Sequence, residues 1–240
     1  MANSYFRFKH FRVEQAHCAM KVCTDACILG ASANLGAAPR ILDVGTGTGL
    51  LALMAAQRNP TARIEAVEID AAAAAQALQN AHGSPWAGRI GVYAGSLAQF
   101  AATQPAPYQH ILCNPPFFRY SLRSPDAART TARHTAPDTL TFAELAAFAA
   151  QHLTADGRLT VLLPPPEMQV FELEANRTGL YPTTRLVVRH RPGSKALRHL
   201  TEFGFVAQPT ANYELAIHAA DSEEYSAEFR SLMRDFYLAF

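Results

Sequence analysis

The chain has 240 residues, 21 Lys/Arg against 20 Asp/Glu for a net charge of +1, with 49% hydrophobic and 17% charged residues. That length fits one domain with a full core, and the composition excludes a disordered chain, a histone-like basic protein and an acidic tail protein. The small total hides a partition, because residues 1–212 carry +5 and residues 213–240 carry −4.

The first ten residues lack an apolar run, so no secretory signal is expected. The longest apolar stretch, around 50–56, is far short of the roughly 18 residues a membrane span needs. Cys18, Cys23, Cys27 and Cys113 form no C-x-x-C pair and have no clustered His at zinc spacing. Free thiols, no metal, no membrane contact and a cytoplasmic location are the expectation.

In chain order, residues 1–38 read as a strand/helix extension. A buried strand follows at 40–44, then a helix at 49–58, a strand at 63–68 and an Ala-rich helix at 70–81 with Asp70 as its N-cap. Next come a strand at 90–94, a short helix at 97–103, a strand at 108–113 and a helix at 141–153. Asp156-Gly157 turns into a strand at 158–163. Two more strands, 183–189 and 201–207, are joined by Arg191-Pro-Gly-Ser194, which is too short for a crossover and so makes them antiparallel. A helix over 223–237 closes the chain. Strands alternating with helices imply an α/β fold with a mostly parallel sheet. The layout expected is the Rossmann-like class I methyltransferase sheet of seven strands, with helices on both faces and an antiparallel terminal strand. There is no repeat and no low-complexity linker, so residues 1–240 read as one domain. Residues 39–210 are its cofactor-binding core and 211–240 a C-terminal strand and helix.

In such sheets the ligand lies beyond the carboxyl ends of the strands, and the informative residues fall there. Asp43-Val-Gly45-Thr-Gly47-Thr-Gly49-Leu50 joins a strand to a helix. Its glycines permit a tight turn and close approach of a ligand to the backbone, and the next helix offers free N–H groups. A dinucleotide fingerprint requires Gly where Leu50 stands. The pattern fits S-adenosylmethionine better, a ligand with a carboxylate, an ammonium and an adenosine but no pyrophosphate. Glu68, at the end of the second strand of this core, has only acceptor sites and suits the two ribose hydroxyls. Its neighbour Asp70 reads as a helix-start charge.

Asn114-Pro115-Pro116-Phe117 is the most discriminating tetrapeptide in the chain. Two prolines hold a rigid extended turn and supply no N–H donors. The Asn114 side-chain oxygen and the Pro115 carbonyl are then free to accept both hydrogens of a planar NH2 group. This turns the nitrogen lone pair toward an electrophile and stabilises positive charge growing on nitrogen. Phe117 offers a face on which a heterocycle stacks.

The glycine loop together with Asn114–Phe117 resembles the amino-group methyltransferases that act on adenine, or on glutamine in release factors. Phe6-Arg-Phe-Lys-His-Phe11, Cys18-Ala-Met-Lys-Val22, Thr24-Asp25 and Ile28-Leu-Gly-Ala31 extend the likeness. So do Ser84-Pro-Trp-Ala87, Tyr225-Ser226 and Phe236-Tyr237-Leu238. Together they resemble the bacterial tRNA1(Val) adenine-N6 methyltransferase family. The resemblance implies N6-methylation of the adenosine 3′ of the anticodon of a valine tRNA. S-adenosylmethionine would be the donor and S-adenosylhomocysteine the product. It also implies that Lys21, Thr24 and Asp25 help form the cofactor pocket, that Ser96 stands against the cofactor adenine, and that Asn114 adjoins the cofactor. From the residues alone, Thr24 or Asp25 caps the amino-terminal helix. Two positions depart from the family pattern: Phe117 stands where Tyr is usual, and Ser96 where Asp is usual, a weaker acceptor.

Arg119, Arg123, Arg129 and Arg133 follow the tetrapeptide, opposed only by Asp126. Arg185, Arg189, Arg191, Lys195 and Arg198 come with no acid between Arg185 and Arg198. Arg119, Arg123, Arg133, Arg189, Arg191, Lys195 and Arg198 are the candidate RNA contacts. A splayed anticodon-loop base is the form in which RNA readers prefer their target. His10, His17, His134, His190 and His199 lack an identifiable carboxylate partner and receive no catalytic role. A monomer or weak homodimer is expected. The rivals are a protein glutamine methyltransferase, which carries a sizeable helical domain before its glycine loop, and a cofactor- and RNA-binding protein without turnover.

Overall fold

A computed structural model describes residues 3–115 and 140–240. The chain opens with a small antiparallel hairpin, β1 (Tyr5–Arg7) and β2 (Arg12–Glu14), followed by helix α1 (Thr24–Ser32). The core then runs β3 (Arg40–Val44), α2 (Leu50–Arg58), β4 (Arg63–Glu68), α3 (Ala71–His82), β5 (Ile90–Ala94), α4 (Leu97–Ala102) and β6 (Tyr108–Cys113). After the undescribed stretch come α5 (Phe142–His152), β7 (Leu153–Leu163), α6 (Pro165–Arg177), β8 (Tyr181–Arg189), β9 (Ala196–Gly204), β10 (Ala211–Ala216) and α7 (Ala227–Met233). No described helix is long and apolar enough to cross a membrane.

Eight strands make one sheet in the order β10-β8-β9-β7-β6-β3-β4-β5. β9 pairs antiparallel with both of its neighbours, and every other pair in the sheet is parallel. This is the class I methyltransferase arrangement. The antiparallel β8–β9 pair occurs as the short connection requires. The sheet has one strand more than expected, since β10 adds a parallel edge, and the antiparallel strand lies inside the sheet, not at its end.

Neighbouring side chains of one strand face opposite sides, so each central strand feeds two cores. Ile41, Ile64, Leu112, Leu162 and Val188 pack with α1, α2 and α7 on one face. Leu42, Val67, Ile111, Cys113 and Val161 pack with α4, α5 and α6 on the other. Each fully buried aliphatic side chain contributes about 1.5–3 kcal/mol. The two chain ends meet on the first face, where Phe8 stacks on Phe11 at 4.5 Å and lies 6.1 Å from Tyr237.

Helix starts follow local chemistry. Asp70 accepts from Ala72 N and Ala73 N, and Ser226 accepts from Phe229 N. Ser96 with Gln99, and Thr141 with Glu144, form capping boxes. At α1 the expectation fails, because the N-cap is Cys23 without a side-chain cap bond, and neither Thr24 nor Asp25 caps. Asp25 Oδ2 instead accepts from Arg198 Nε at 2.7 Å. Helix α6 has no counterpart in the expected elements. Pro164-Pro165-Pro166 reads as a breaker, yet Pro165 opens the helix, where no N–H bond is forfeited. Met168, Phe171 and Ala175 then face the sheet. β9 starts at Ala196 and not at 201, and α7 is confined to Ala227–Met233.

Candidate active site

The carboxyl ends of β3, β4, β5 and β6 converge on one edge of the sheet. Beyond β3, Gly45, Gly47 and Gly49 take φ values of 70°, 55° and 83°, a left-handed region that side-chain-bearing residues resist. At Gly49 space is also short, since an added Cβ would stand 3.3 Å from the Ala77 Cβ. At Gly45 and Gly47 the corresponding space is open. The loop is sewn to the end of β4: Gly45 N and Thr46 N donate to the Val67 carbonyl at 2.9 and 3.1 Å.

Glu68 completes the seam. Its Oε2 accepts from Gly47 N at 2.8 Å and its Oε1 from Asp70 N at 3.0 Å. Each carboxylate oxygen offers about two acceptor sites, so one remains on each for a diol. Asp43 lies beneath the loop and is fully buried. Its Oδ2 accepts from Thr46 Oγ1 at 2.5 Å and from Ala52 N at 3.2 Å, while Oδ1 is buried without a partner among the described residues. Burial pushes the carboxyl up to about 7, against the two hydrogen bonds that favour its charge and with the Glu68 charge adding to the rise.

A cavity of about 370 Å³ opens beside this seam. Val44, Gly45, Val67, Glu68 and Ile69 form one wall, Gly95, Ser96 and Leu97 a second, and Leu140, Glu144 and Phe148 a third. Apolar faces bracketing a diol acceptor suit a nucleoside, with Glu68 at the ribose. Ser96 is in the wall, but its Oγ accepts from Gln99 N at 3.1 Å and so caps α4. One lone pair and the hydroxyl proton remain, so the expected acceptor role stays open to it.

Register places Asn114 beside Gly45, because Cys113 pairs with Val44. Asn114 Oδ1 is buried with no hydrogen-bond partner among the described residues, and Pro115 is buried next to it. A buried acceptor without a donor costs about 1–3 kcal/mol, so an N–H group brought to this oxygen would be favoured. Pro116, Phe117, Arg119, Arg123, Arg129 and Arg133 lie outside the described residues.

Lys21 and Thr24 are exposed and are not among the described residues that line this cavity. The amino-terminal extension does reach the seam by other residues. Asn80 Nδ2 donates to the Thr48 carbonyl at 2.9 Å and to the Glu14 carbonyl at 2.8 Å, and its Oδ1 accepts from Glu14 N at 2.9 Å. One buried side chain thus ties β2 to the glycine loop. The Cys18 thiol is pushed up to about 11, by burial first and then by the charges of Glu68 and Asp70. Sequence reasoning missed Asn80, Ile69, Leu97 and Phe148. Ile69 alone carried a signal, as an apolar residue exposed between two carboxylates.

The second basic cluster is paired. Arg185 meets Glu172 at 2.5 Å, Arg189 meets Glu214 at 2.8 Å, Arg191 pairs with Glu223, and Arg198 meets Asp25 at 2.7 Å. No acid interrupts the cluster in sequence, but the fold supplies one to each Arg from α6, β10, the segment before α7, and α1. Lys195 is exposed and forms no ion pair among the described residues. β8 and β7 are both antiparallel to β9, so the 190–195 turn lies on the same edge as Asn114.

The model of the methyltransferase small domain family matches residues 28–165. The chain is 40% identical to a Dyadobacter fermentans protein and 42% identical to one from Bacteroides thetaiotaomicron, with 99% of both chains covered in each case. It is 43% identical to a Serratia proteamaculans protein over 97% of this chain and 89% of that one. All three relatives are named tRNA1(Val) (adenine(37)-N6)-methyltransferase. Among solved structures, a predicted O-methyltransferase from Agrobacterium tumefaciens superposes with a TM-score of 0.63 at 21% identity, covering 88% of this chain and 96% of that one. A ribosomal-protein methylase from Lactobacillus delbrueckii subsp. bulgaricus gives 0.55 at 16% identity, covering 80% and 83%. These two likenesses establish the fold.

Proposed function

Because this chain belongs to the methyltransferase small domain family, and within it to the tRNA1(Val) (adenine(37)-N6)-methyltransferases, we propose that it methylates N6 of adenosine 37, the nucleotide 3′ of the anticodon, in a valine tRNA. The observation that carries the reading is Asn114 Oδ1, buried at the end of β6 with no hydrogen-bond partner among the described residues, beside a glycine loop with open space at Gly45 and Gly47.

S-adenosylmethionine, when bound, supplies a sulfonium methyl group that is already a strong electrophile. Glu68 would hold the ribose hydroxyls with the acceptor sites that Gly47 N and Asp70 N leave free. Ile69, Leu97 and Phe148 would hold the adenine of the cofactor, and the loop 45–49 would receive its amino-acid end. Asn114 Oδ1 and the Pro115 carbonyl would accept the two N6 hydrogens of the target base and turn its nitrogen lone pair outward. Methyl transfer would build positive charge on N6, and both acceptors would stabilise it. One N6 proton then leaves to solvent. Phe117 supplies the stacking face for the target base. The chain provides positioning and charge stabilisation, with no strong base required.

Lys195 and the turn that bears it contact RNA phosphate on the same edge, with Arg189, Arg191 and Arg198 held beside it by their acid partners. A monomer or weak homodimer acting on tRNA in the cytoplasm completes this reading. Incubation with labelled S-adenosylmethionine and total tRNA, followed by digestion to nucleosides, tests the reading. Labelled N6-methyladenosine is the expected product. Label confined to protein, or binding without transfer, overturns it.

A further inference from the structure

The carboxyl edge also carries a ladder of rings that methyl transfer does not use. Phe229 is fully buried, and Tyr225 stacks on it at 4.9 Å with planes 20° apart. His218 stacks on Tyr225 at 5.2 Å and 16°, and His190 meets His218 at 4.7 Å and 56°. The ladder climbs from core to solvent and ends on the exposed His190 ring.

Backbone pairing sets this geometry. His190 and His218 follow the register partners Arg189 and Ala216 on β8 and β10, and His218 N donates to the His190 carbonyl at 2.9 Å. His218 and Tyr225 face each other across an antiparallel bridge. His218 Nδ1 donates to the Glu223 carbonyl at 2.9 Å, while the Glu223 carboxylate pairs with Arg191. The rings are therefore held before any partner arrives, and little rotamer entropy is lost on binding. Glu223 and Glu224 are engaged by Arg191 and Arg230, while Lys195, on the turn that follows His190, and Asp221, in the hairpin that bears His218, are exposed and form no ion pair among the described residues.

We propose that this ladder is a second base-binding point for the RNA, on which an unpaired nucleobase stacks against His190 while Lys195 meets the adjoining phosphate. The inference rests on the tRNA reading given above. Three strand spacings of about 4.8 Å separate β6 from β8, so the ladder stands about 14 Å from the Asn114 strand. At about 3.4 Å per stacked nucleotide, that span corresponds to about four bases. The contacted base is a loop neighbour of the target and not the target itself. Imidazole and phenol rings present π faces to any base, so the contact adds affinity and orientation more than sequence choice.

The test is steady-state kinetics on an anticodon stem-loop RNA with His190→Ala, His190→Trp and His190→Lys, each checked for melting temperature and for S-adenosylmethionine affinity. His190→Ala should raise KM for RNA about tenfold, the effect of losing one base–ring stack, with cofactor affinity unchanged. His190→Trp should restore KM, and His190→Lys should not. An unchanged KM in His190→Ala, or equal rescue by Lys, overturns the ladder as a stacking site while leaving the methyltransferase reading intact. Failure of the wild-type protein to form N6-methyladenosine overturns that reading and this inference with it.

Discussion

The Gly47 amide donates to Glu68 Oε2 at 2.8 Å, so the middle of the glycine loop and the end of β4 are one hydrogen-bonded unit. The same carboxylate holds the Asp70 amide at the start of α3. Glu68→Gln keeps the size but turns one acceptor into a donor facing an N–H group. Charge-assisted hydrogen bonds are worth about 1.5–3 kcal/mol, so the affinity for S-adenosylmethionine should fall about tenfold or more. Titration calorimetry measures this, and kcat at saturating cofactor should change much less. Equal losses in both would mean that Glu68 acts on the chemical step.

Asn114→Ala separates chemistry from cofactor binding. In the proposed mechanism Asn114 Oδ1, which has no partner among the described residues, accepts from the substrate amine, and removing one such acceptor at a developing charge costs about 10²–10³ in kcat. Cofactor affinity should stay within a few fold, because the cavity wall is built from β3, β4, the residues after β5, and α5. Single-turnover transfer to tRNA and a separate cofactor titration give the two numbers. Loss of cofactor binding in step with activity would sink the assigned role.

The strands of the core and the whole glycine motif were readable because a buried parallel strand is a short apolar run and the motif sits at its end. Residues 40–44, 63–68, 90–94 and 108–113 match the observed strands end to end. The cavity's third wall was not readable. It comes from α5, more than seventy residues after Glu68, and nothing local in Leu140 or Phe148 marks a ligand contact. Long-range pairing misled the reading of charge for the same reason. The acids that neutralise Arg189 and Arg191 lie in the C-terminal −4 segment, so part of that tail sits against the basic body. Asn80 escaped notice because an Asn in an Ala-rich helix looks like any polar residue on a solvated face.

Two buried groups make stability depend on pH in opposite senses. Asp43 is raised by burial to about 7 from its ordinary 3.8, so the folded state holds this proton more tightly than the unfolded chain. Its contribution is complete below about pH 4 and is lost as pH rises to about 7. His110 is lowered by burial, and next by Arg58 and Arg158, to about 3 from 6.5. The folded state refuses that proton, so this contribution is complete above about pH 6.5 and is lost as pH falls toward 3. Each slope is at most about 1.4 kcal/mol per pH unit, and between about pH 4 and 6.5 they oppose each other. The wild-type melting temperature should therefore be nearly flat over that window. Asp43→Asn removes the first group and should leave a melting temperature that climbs by several degrees from pH 4 to pH 6.5. Calorimetric scans at half-unit steps test this, and a flat profile in the variant would contradict it.

Lys195 and Arg185 offer a matched pair for the RNA face. Arg185 is half-buried against Glu172 at 2.5 Å, with its Nε 3.4 Å from Thr201 Oγ1, so it is engaged within the fold. Lys195 is exposed on the turn between β8 and β9 and has no ion pair among the described residues. Burial and the Arg185 charge act against each other on Glu172, and burial prevails to raise its carboxyl. Removing Arg185 should raise it further and lower the melting temperature. Lys195→Ala should leave the melting temperature in place and reduce the log–log salt slope of tRNA binding by about 0.7, the counterion released per neutralised phosphate on a single strand. Arg185→Ala should do the reverse, costing stability with the slope unchanged. Filter binding of tRNA across a salt series, paired with thermal melts, reads both. A slope change in Arg185→Ala as large as in Lys195→Ala would show that ion pairing within the fold does not decide which cations meet RNA.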